Sequence, residues 1–260
     1  MPQQQALIDF TLQLADNALI LGHRNSEWTG HGPVLEQDIA ISNIALDLVG
    51  QARYFYQYAA RLINQSGGQV TEDTLAYLRD GWDFKNCLLV EQTNGDWART
   101  ILRQFFFSAA QYYLYEGLQY SKDSELAAIS EKAFKEVIYH LRWSSEWVIR
   151  LGDGTAESRS RMETALEDLW KFTGELFIAA SYESSLVQEG IAADLSSLQP
   201  KWEEKVKEVF SEAGLSWPGS PSGKKGSLLA GGKEGRHSEQ LGYILAEMQF
   251  LQRAYPGCEW

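Results

Sequence analysis

The sequence predicts an all-α protein, a four-helix bundle with additional helices. Three observations carry the prediction. Apolar residues recur at three- and four-residue spacing along nearly the whole chain. Four of these periodic stretches are long enough to be bundle rods. No stretch shows the period-two alternation of a half-buried strand. With 260 residues, 44% of them hydrophobic, the chain can fill a sizeable core, and one domain over 1–260 is the simplest division.

The first helix is expected over Ala6 to Leu21, with Leu7, Phe10, Leu14, Ala18 and Leu21 on one stripe, followed by a Gly/Pro loop from Gly22 to Pro33. The second runs from Leu35 to Leu62 with Ile41, Ile44, Leu48, Gln51, Phe55, Tyr58 and Leu62 facing the core, a rod of about 40 Å. Two short pieces are expected over Thr71 to Glu91, around Gly81. A third long helix spans Trp97 to Tyr120 and a fourth Glu125 to Leu151, the latter with Ile129, Ala133, Val137, His140, Ser144, Trp147 and Leu151 on one stripe. A fifth helix covers Glu157 to Ile178, another lies within Leu195 to Gly214, and the last spans Ser238 to Tyr255. Between these two, residues 216–235 are rich in Gly, Ser, Pro and Lys and read as an exposed loop.

Charge and composition exclude several function classes. A formal charge of -12 repels phosphate backbones, so nucleic acid is not an expected partner. The basic clusters Lys201 to Lys207 and Lys224-Lys225 read as solvated surface; the sharper reading of Lys224-Lys225 is contact with an anionic ligand such as coenzyme A. No apolar run approaches the ~20 residues of a membrane span, and Met1 to Leu12 lacks the pattern of a signal peptide. Cys87 and Cys258 match no metal-ligand spacing, and cysteine this sparse fits a reducing cytoplasm. No nucleophile elbow, Walker loop or dinucleotide fingerprint is present. The glycines at 231, 232 and 235 follow no strand, which argues against a phosphate cradle.

A bundle of this kind commonly hosts a di-metal carboxylate site, built from a Glu on each of two helices and a Glu-x-x-His pair on each of the other two. Residues three apart share a helix face, so both members of a pair reach a metal in the core. Four histidines exist, at 23, 31, 140 and 237. His23 follows Ile20, His31 follows Trp28 and His140 follows Val137 at that spacing. Glu234 and His237 fit it, but as a single copy at a loop-to-helix boundary, where a chance match or a capping contact is the plain reading. On the second helix Leu48 and Gln51 stand where a Glu and a His are expected, and on the fourth Val137 and His140 do. Glu136 points roughly 100° away from Val137. The third helix has no acid between Asp96 and Glu116, and the first has Asp16 near its centre. Asp16, Leu48, Gln51, Val137 and His140 therefore read as degenerate ligand positions, and neither a catalytic residue nor a metal site is expected. Asp47 reads as a surface charge or as a core acid paired with Arg53, Arg142 or another cation. Phe105-Phe106-Phe107 and Tyr112-Tyr113 point in successive directions, so some are expected to meet a protein partner.

Several segments resemble a known family. They are Glu27, Trp28, Gly30 and His31; the run Ile44 to Arg53 (IALDLVGQAR); Leu89 to Gln92; Lys135, Glu136 and Tyr139 to Arg142; and the tail from His237-Ser238-Glu239 through Leu245 to Gln249, Leu251 to Arg253 and Pro256-Gly257. Together they resemble the C subunits of bacterial phenylacetyl-CoA epoxidases, the ring 1,2-phenylacetyl-CoA monooxygenases of aerobic phenylacetate degradation, over nearly the whole length. The resemblance implies a ferritin-like fold and a non-catalytic structural role beside a related A subunit that holds the di-iron centre. Oxygen is used, and electrons come from NADPH through a reductase. It implies no cofactor in this chain, and it leaves room for further small subunits in the complex and for a homo-oligomer when the chain is isolated. Two other readings stay open from the residues: an oxygenase subunit with an atypical metal site using His140, Asp47 and Asp16, and a non-enzymatic helical adaptor or storage protein.

Overall fold

The computed structural model describes residues 2–221 and 229–258. Lys224 and Lys225 lie outside the described residues. No strand occurs among those described, and the fold is all-α, consistent with the ferritin-like class. The elements in order are α1 (Pro2–Ser26), α2 (Leu35–Gln65), α3 (Glu72–Tyr77), α4 (Leu88–Glu91), α5 (Trp97–Leu118), α6 (Ser124–Gly152), α7 (Ala156–Thr173), α8 (Glu183–Glu189), α9 (Leu195–Ala213), α10 (Glu239–Met248) and α11 (Phe250–Ala254). Short 3₁₀ turns stand at Gly81–Asp83, Gly174–Phe177 and Gly232–Glu234. Contacts group the chain into two compact units, residues 1–92, 180–186 and 231–260 in one and 93–179 and 187–230 in the other.

In the first unit α1 packs along α2, with α4 and α10 also against it. The α2 stripe is as the sequence predicts: Ile41, Ile44, Leu48, Gln51, Phe55, Tyr58 and Leu62 are all buried. The end of α1 is not. The helix passes through Gly22 to Ser26, because the glycine serves packing and does not mark a turn. A Cβ at Gly22 would stand 3.1 Å from Val49 Cγ2 and 3.4 Å from the Ala45 carbonyl, so the missing side chain lets α1 and α2 touch. From Phe10 to Gly22 every residue is buried, including Thr11, Gln13, Asp16 and Asn17. A helix enclosed on all sides must satisfy its polar residues internally.

In the second unit α5 contacts α6, α7 and α9. Phe105, Phe106 and Phe107 are all buried within the chain, contrary to the expectation that some face a partner. Successive directions do not force exposure when neighbours pack around the helix. Phe106 meets Trp170, Trp202 and Phe210 at centroid distances of 5.6, 5.8 and 6.1 Å, and Trp202 Nε1 donates to the Phe106 carbonyl at 2.9 Å. Tyr112 and Tyr113 are half-buried, Tyr112 against Phe134. The helices start on side-chain caps: Asp96, Asp123, Thr155 and Asp194 each accept a first-turn backbone N–H of α5, α6, α7 and α9.

The segment 216–235 is exposed at Ser216, Pro218, Ser220 and Leu229, whereas Ala230 to Lys233 and Gly235 are buried. Gly232 lies so close to the Asn86 carbonyl that a Cβ there would clash. This glycine marks a close backbone approach, which composition alone reads as a loop.

Candidate functional site

The five degenerate ligand positions are all buried. Asp16, Leu48 and Gln51 belong to the first unit, Val137 and His140 to the second. Leu48 and Gln51 share the buried face of α2, and Val137 and His140 that of α6.

Asp16 stands in the middle of α1 with no exposed surface. Its carboxylate accepts from the Tyr56 phenol of α2, from both terminal nitrogens of Arg79 just beyond α3, and from the Lys85 backbone N–H at 2.8 Å. Arg79 is held in turn: it donates to the Leu75 and Asp83 carbonyls, and its guanidinium carbon lies 4.2 Å from the Phe84 ring centroid. Burial, and then the Asp16 charge, push the Tyr56 phenol well above its ordinary pKa, so it stays a donor. Burial opposes the charge on Arg79, but Asp16 and Tyr56 outweigh it and hold the guanidinium protonated.

This arrangement occupies the acid with a cation and two neutral donors. A di-iron group needs several carboxylates with lone pairs to give, because anionic oxygen ligands must offset the charge of two metal ions. Here one carboxylate is already neutralised by Arg79, and Leu48 and Val137 offer no donor. The residues present at these positions do not fit a di-iron group. Among the described residues no cluster of three or more His, Cys, Asp or Glu is placed to hold a metal ion. Asp47 is half-buried, and Arg53 stands 3.5 Å from Glu72.

A second buried cluster involves residues that spacing arguments miss. Glu91, at the end of α4, is fully buried. Its carboxylate accepts from the Ser238 backbone N–H at 2.7 Å and from Asn86 Nδ2 at 3.2 Å, and it faces His237 Nδ1 at 3.1 Å. His237 Nε2 faces the Phe84 carbonyl at 2.9 Å. Both ring nitrogens therefore meet acceptors, the arrangement that suits a doubly protonated imidazolium. Burial lowers the His237 pKa, but Glu91, the Phe84 carbonyl and Asp16 outweigh it and raise it above the ordinary value. Glu234, three residues earlier, takes no part. It accepts from the backbone and hydroxyl of Ser181. Arg24 ties the same place to α1, donating through Nε and Nη2 to the Glu91 carbonyl at 3.2 and 2.9 Å and through Nη1 to Glu27 at 2.9 Å.

A third cluster sits beside these. Lys233 Nζ stands 3.7 Å from Glu183, and both are buried. Gln13 of α1 donates to Glu183 at 3.4 Å, and the Tyr182 hydroxyl is 2.7 Å from Gln13 Oε1 and 3.0 Å from the Lys233 carbonyl. Asn17 accepts the Cys87 N–H at 2.8 Å. Along one enclosed helix, then, Asp16, Asn17 and Arg24 hold the segment from Lys85 to Glu91, and Gln13 holds Tyr182 and Glu183. Each buried acid in the three clusters is matched by a cation. Chemically the arrangement orients segments; it presents neither an activated nucleophile nor a base open to substrate. The one sequence signal that points here is the set of short motifs at 27–31, 89–92 and 237–239, whose Glu27, Glu91 and His237 are joined in this network.

These features define a helical scaffold in which the buried Asp16, Glu91 and Glu183 each face a cation of the same unit. A family model described as "Phenylacetic acid catabolic protein" matches residues 1–260, and the chain belongs to that family. It is 49% identical over 254 residues to the C subunit of the 1,2-phenylacetyl-CoA epoxidase of Escherichia coli (strain K12), covering 98% of this chain and 99% of that protein. Among the described residues no helix is long and apolar enough to cross a membrane.

Proposed function

We propose that the chain is a non-catalytic structural subunit of a multicomponent di-iron oxygenase that epoxidises the ring of phenylacetyl-CoA. A related A subunit holds the iron; electrons from NADPH reach it through a reductase, in the cytoplasm. This chain braces that iron-bearing partner and has no cofactor of its own. The observation that carries the reading is Asp16: the acid at a ligand position of the first helix is bound by Arg79 and Tyr56. Leu48 and Val137, buried and apolar, support it by filling space where carboxylates would need cations. Likeness over nearly full length to a protein named as the C subunit of such an epoxidase supports the substrate class.

The test is coexpression with the related iron-bearing subunit. The reading expects a stable complex, and with the reductase present it expects oxygen-dependent epoxidation of phenylacetyl-CoA that falls away when this chain is left out. Full activity of the iron-bearing subunit without it would refute the supporting role.

A further inference from the structure

We infer that the C-terminal segment from His237 onward is a proton-held arm, latched to α4 while the His237 ring carries both N–H groups and opening locally as the medium turns alkaline. The latch is the pairing of His237 and Ser238 with Glu91. Nδ1 of the ring faces the Glu91 carboxylate at 3.1 Å, and Nε2 faces the Phe84 carbonyl at 2.9 Å. Both partners are acceptors, so both contacts need an N–H. A neutral imidazole has one N–H and one lone pair. Losing the proton therefore sets a lone pair against an oxygen on one side of the ring, whichever tautomer forms. It also strips the cation from a fully buried carboxylate, and a buried charge without its partner is costly.

No other cation is placed to take over among the described residues. Arg24 of α1 is spent on the Glu91 backbone carbonyl and on Glu27. Asp16, also of α1, adds its charge at the ring but is itself paired with Arg79. Lys85 pairs with Asp9, and Lys233 with Glu183. Glu234, Arg236 and Glu239, on the segment itself, are exposed. The cation on the Glu91 carboxylate is His237.

The position of the latch makes its effect local. Upstream the chain is fixed: Gly232 and Gly235 lie against the Asn86 and Trp82 carbonyls too closely for a side chain, and Glu234 is bonded to Ser181. Downstream, α10 begins at once on its Ser238 cap, whose own N–H is held by Glu91 at 2.7 Å. Beyond the cap, Leu241, Ile244 and Leu245 are the buried residues of α10, and α11 buries none. Tyr243, Phe250, Leu251 and Tyr255 are exposed. Two further pins hold the arm. Gln249 donates to the Ala76 and Arg79 carbonyls. Arg253 donates to the Leu78 and Arg79 carbonyls and pairs with Asp80 at an exposed site, where an ion pair holds weakly. A segment with few buried apolar contacts opens at a lower free energy than the core. The closed arm binds the proton more tightly than the open one, whose histidine has its ordinary pKa of about 6.5. Closure is strongest below that value and weakens as pH rises through the raised value of the closed arm.

Hydrogen exchange of the full chain, read by mass spectrometry and corrected for the intrinsic effect of pH, tests this. Protection of the α10 amides should fall roughly three- to tenfold from pH 6 to pH 8.5. It should be lower than that of the enclosed α1 at both pH values and respond little to low urea, since local opening exposes little surface. In His237→Gln the fall with pH should vanish. The His237 ring of the parent, followed by nuclear magnetic resonance, should titrate above about 6.5, a reading that needs no variant to fold. Equal α10 protection at the two pH values overturns the latch. Exchange of α10 in step with α1, with the same urea response, overturns it as well, because the arm then opens only with the whole fold. A fall that persists in His237→Gln, or a His237 midpoint at or below about 6.5, gives the role to another group and overturns it too.

Discussion

Replacing Arg79 with methionine isolates the interaction on which the interior depends. The guanidinium is the cation facing a carboxylate that has no exposed surface. Methionine keeps an unbranched apolar stem but removes the charge, every donor and the guanidinium that lies over Phe84. Asp16 then keeps the Tyr56 hydroxyl and the Lys85 N–H, which are neutral. Removing one partner of a buried ion pair typically costs about 3–5 kcal/mol, because the remaining charge is stranded. Against a total stability of about 5–15 kcal/mol this is a large fraction. At roughly 2–4 °C per kcal/mol for a chain of this size, the melting temperature should drop by roughly 10 °C. Urea unfolding followed by far-ultraviolet circular dichroism at pH 7 measures the loss. The double variant with Asp16→Asn, which keeps an acceptor for Lys85 and Tyr56 but not the charge, should recover part of it. A loss under about 1 kcal/mol, or strict additivity of the two substitutions, would refute the reasoning, since residues in direct contact couple by about 0.5–3 kcal/mol.

Two further perturbations probe the other clusters. Leu48→Glu restores a carboxylate at a degenerate ligand position that is fully buried; it should destabilise the chain by at least about 3 kcal/mol at pH 7 without any gain of iron, and metal uptake by this single variant would contradict the account. His237→Gln removes a group whose pKa folding raises. The stabilisation from that group is complete below the unfolded-state pKa of about 6.5 and is lost as pH rises through the raised folded value. The stability gap between parent and variant, read from urea midpoints, should therefore be wider at pH 6 than at pH 8.5, and an equal gap at both would show that His237 is neutral in the folded chain.

Much of the fold is legible from residue order because helical periodicity reports burial directly. The α2 stripe from Ile41 to Leu62 is buried as expected, and so are Ile129, Ala133, Val137, His140 and Ser144 on α6. Glycine misleads where its role is packing: Gly22 lies inside α1 and Gly232 lies against a backbone carbonyl. The expected last helix over Ser238 to Tyr255 divides at Gln249, whose side chain is buried and donates to the Ala76 and Arg79 carbonyls. Helix α8, of seven residues, is too short to give a periodic signal. The polar clusters are the least legible. Glu91 and His237 are 146 positions apart, and Asp16 and Arg79 are 63 apart. No local pattern encodes such pairs, and the spacing rule points instead to Glu234, which bonds elsewhere. The aromatic run at 105–107 defeats a local reading because the enclosure of α5 depends on α7 and α9, which come later in the chain.

Iron content decides the central matter. The isolated full chain, produced with abundant iron under air and freed of loosely held metal by gel filtration, should carry iron at the background level of the buffer. At the positions described here Asp16 is capped by Arg79, and Leu48 and Val137 carry no donor for a metal. A stoichiometry near the two irons per chain of a di-iron protein would contradict it.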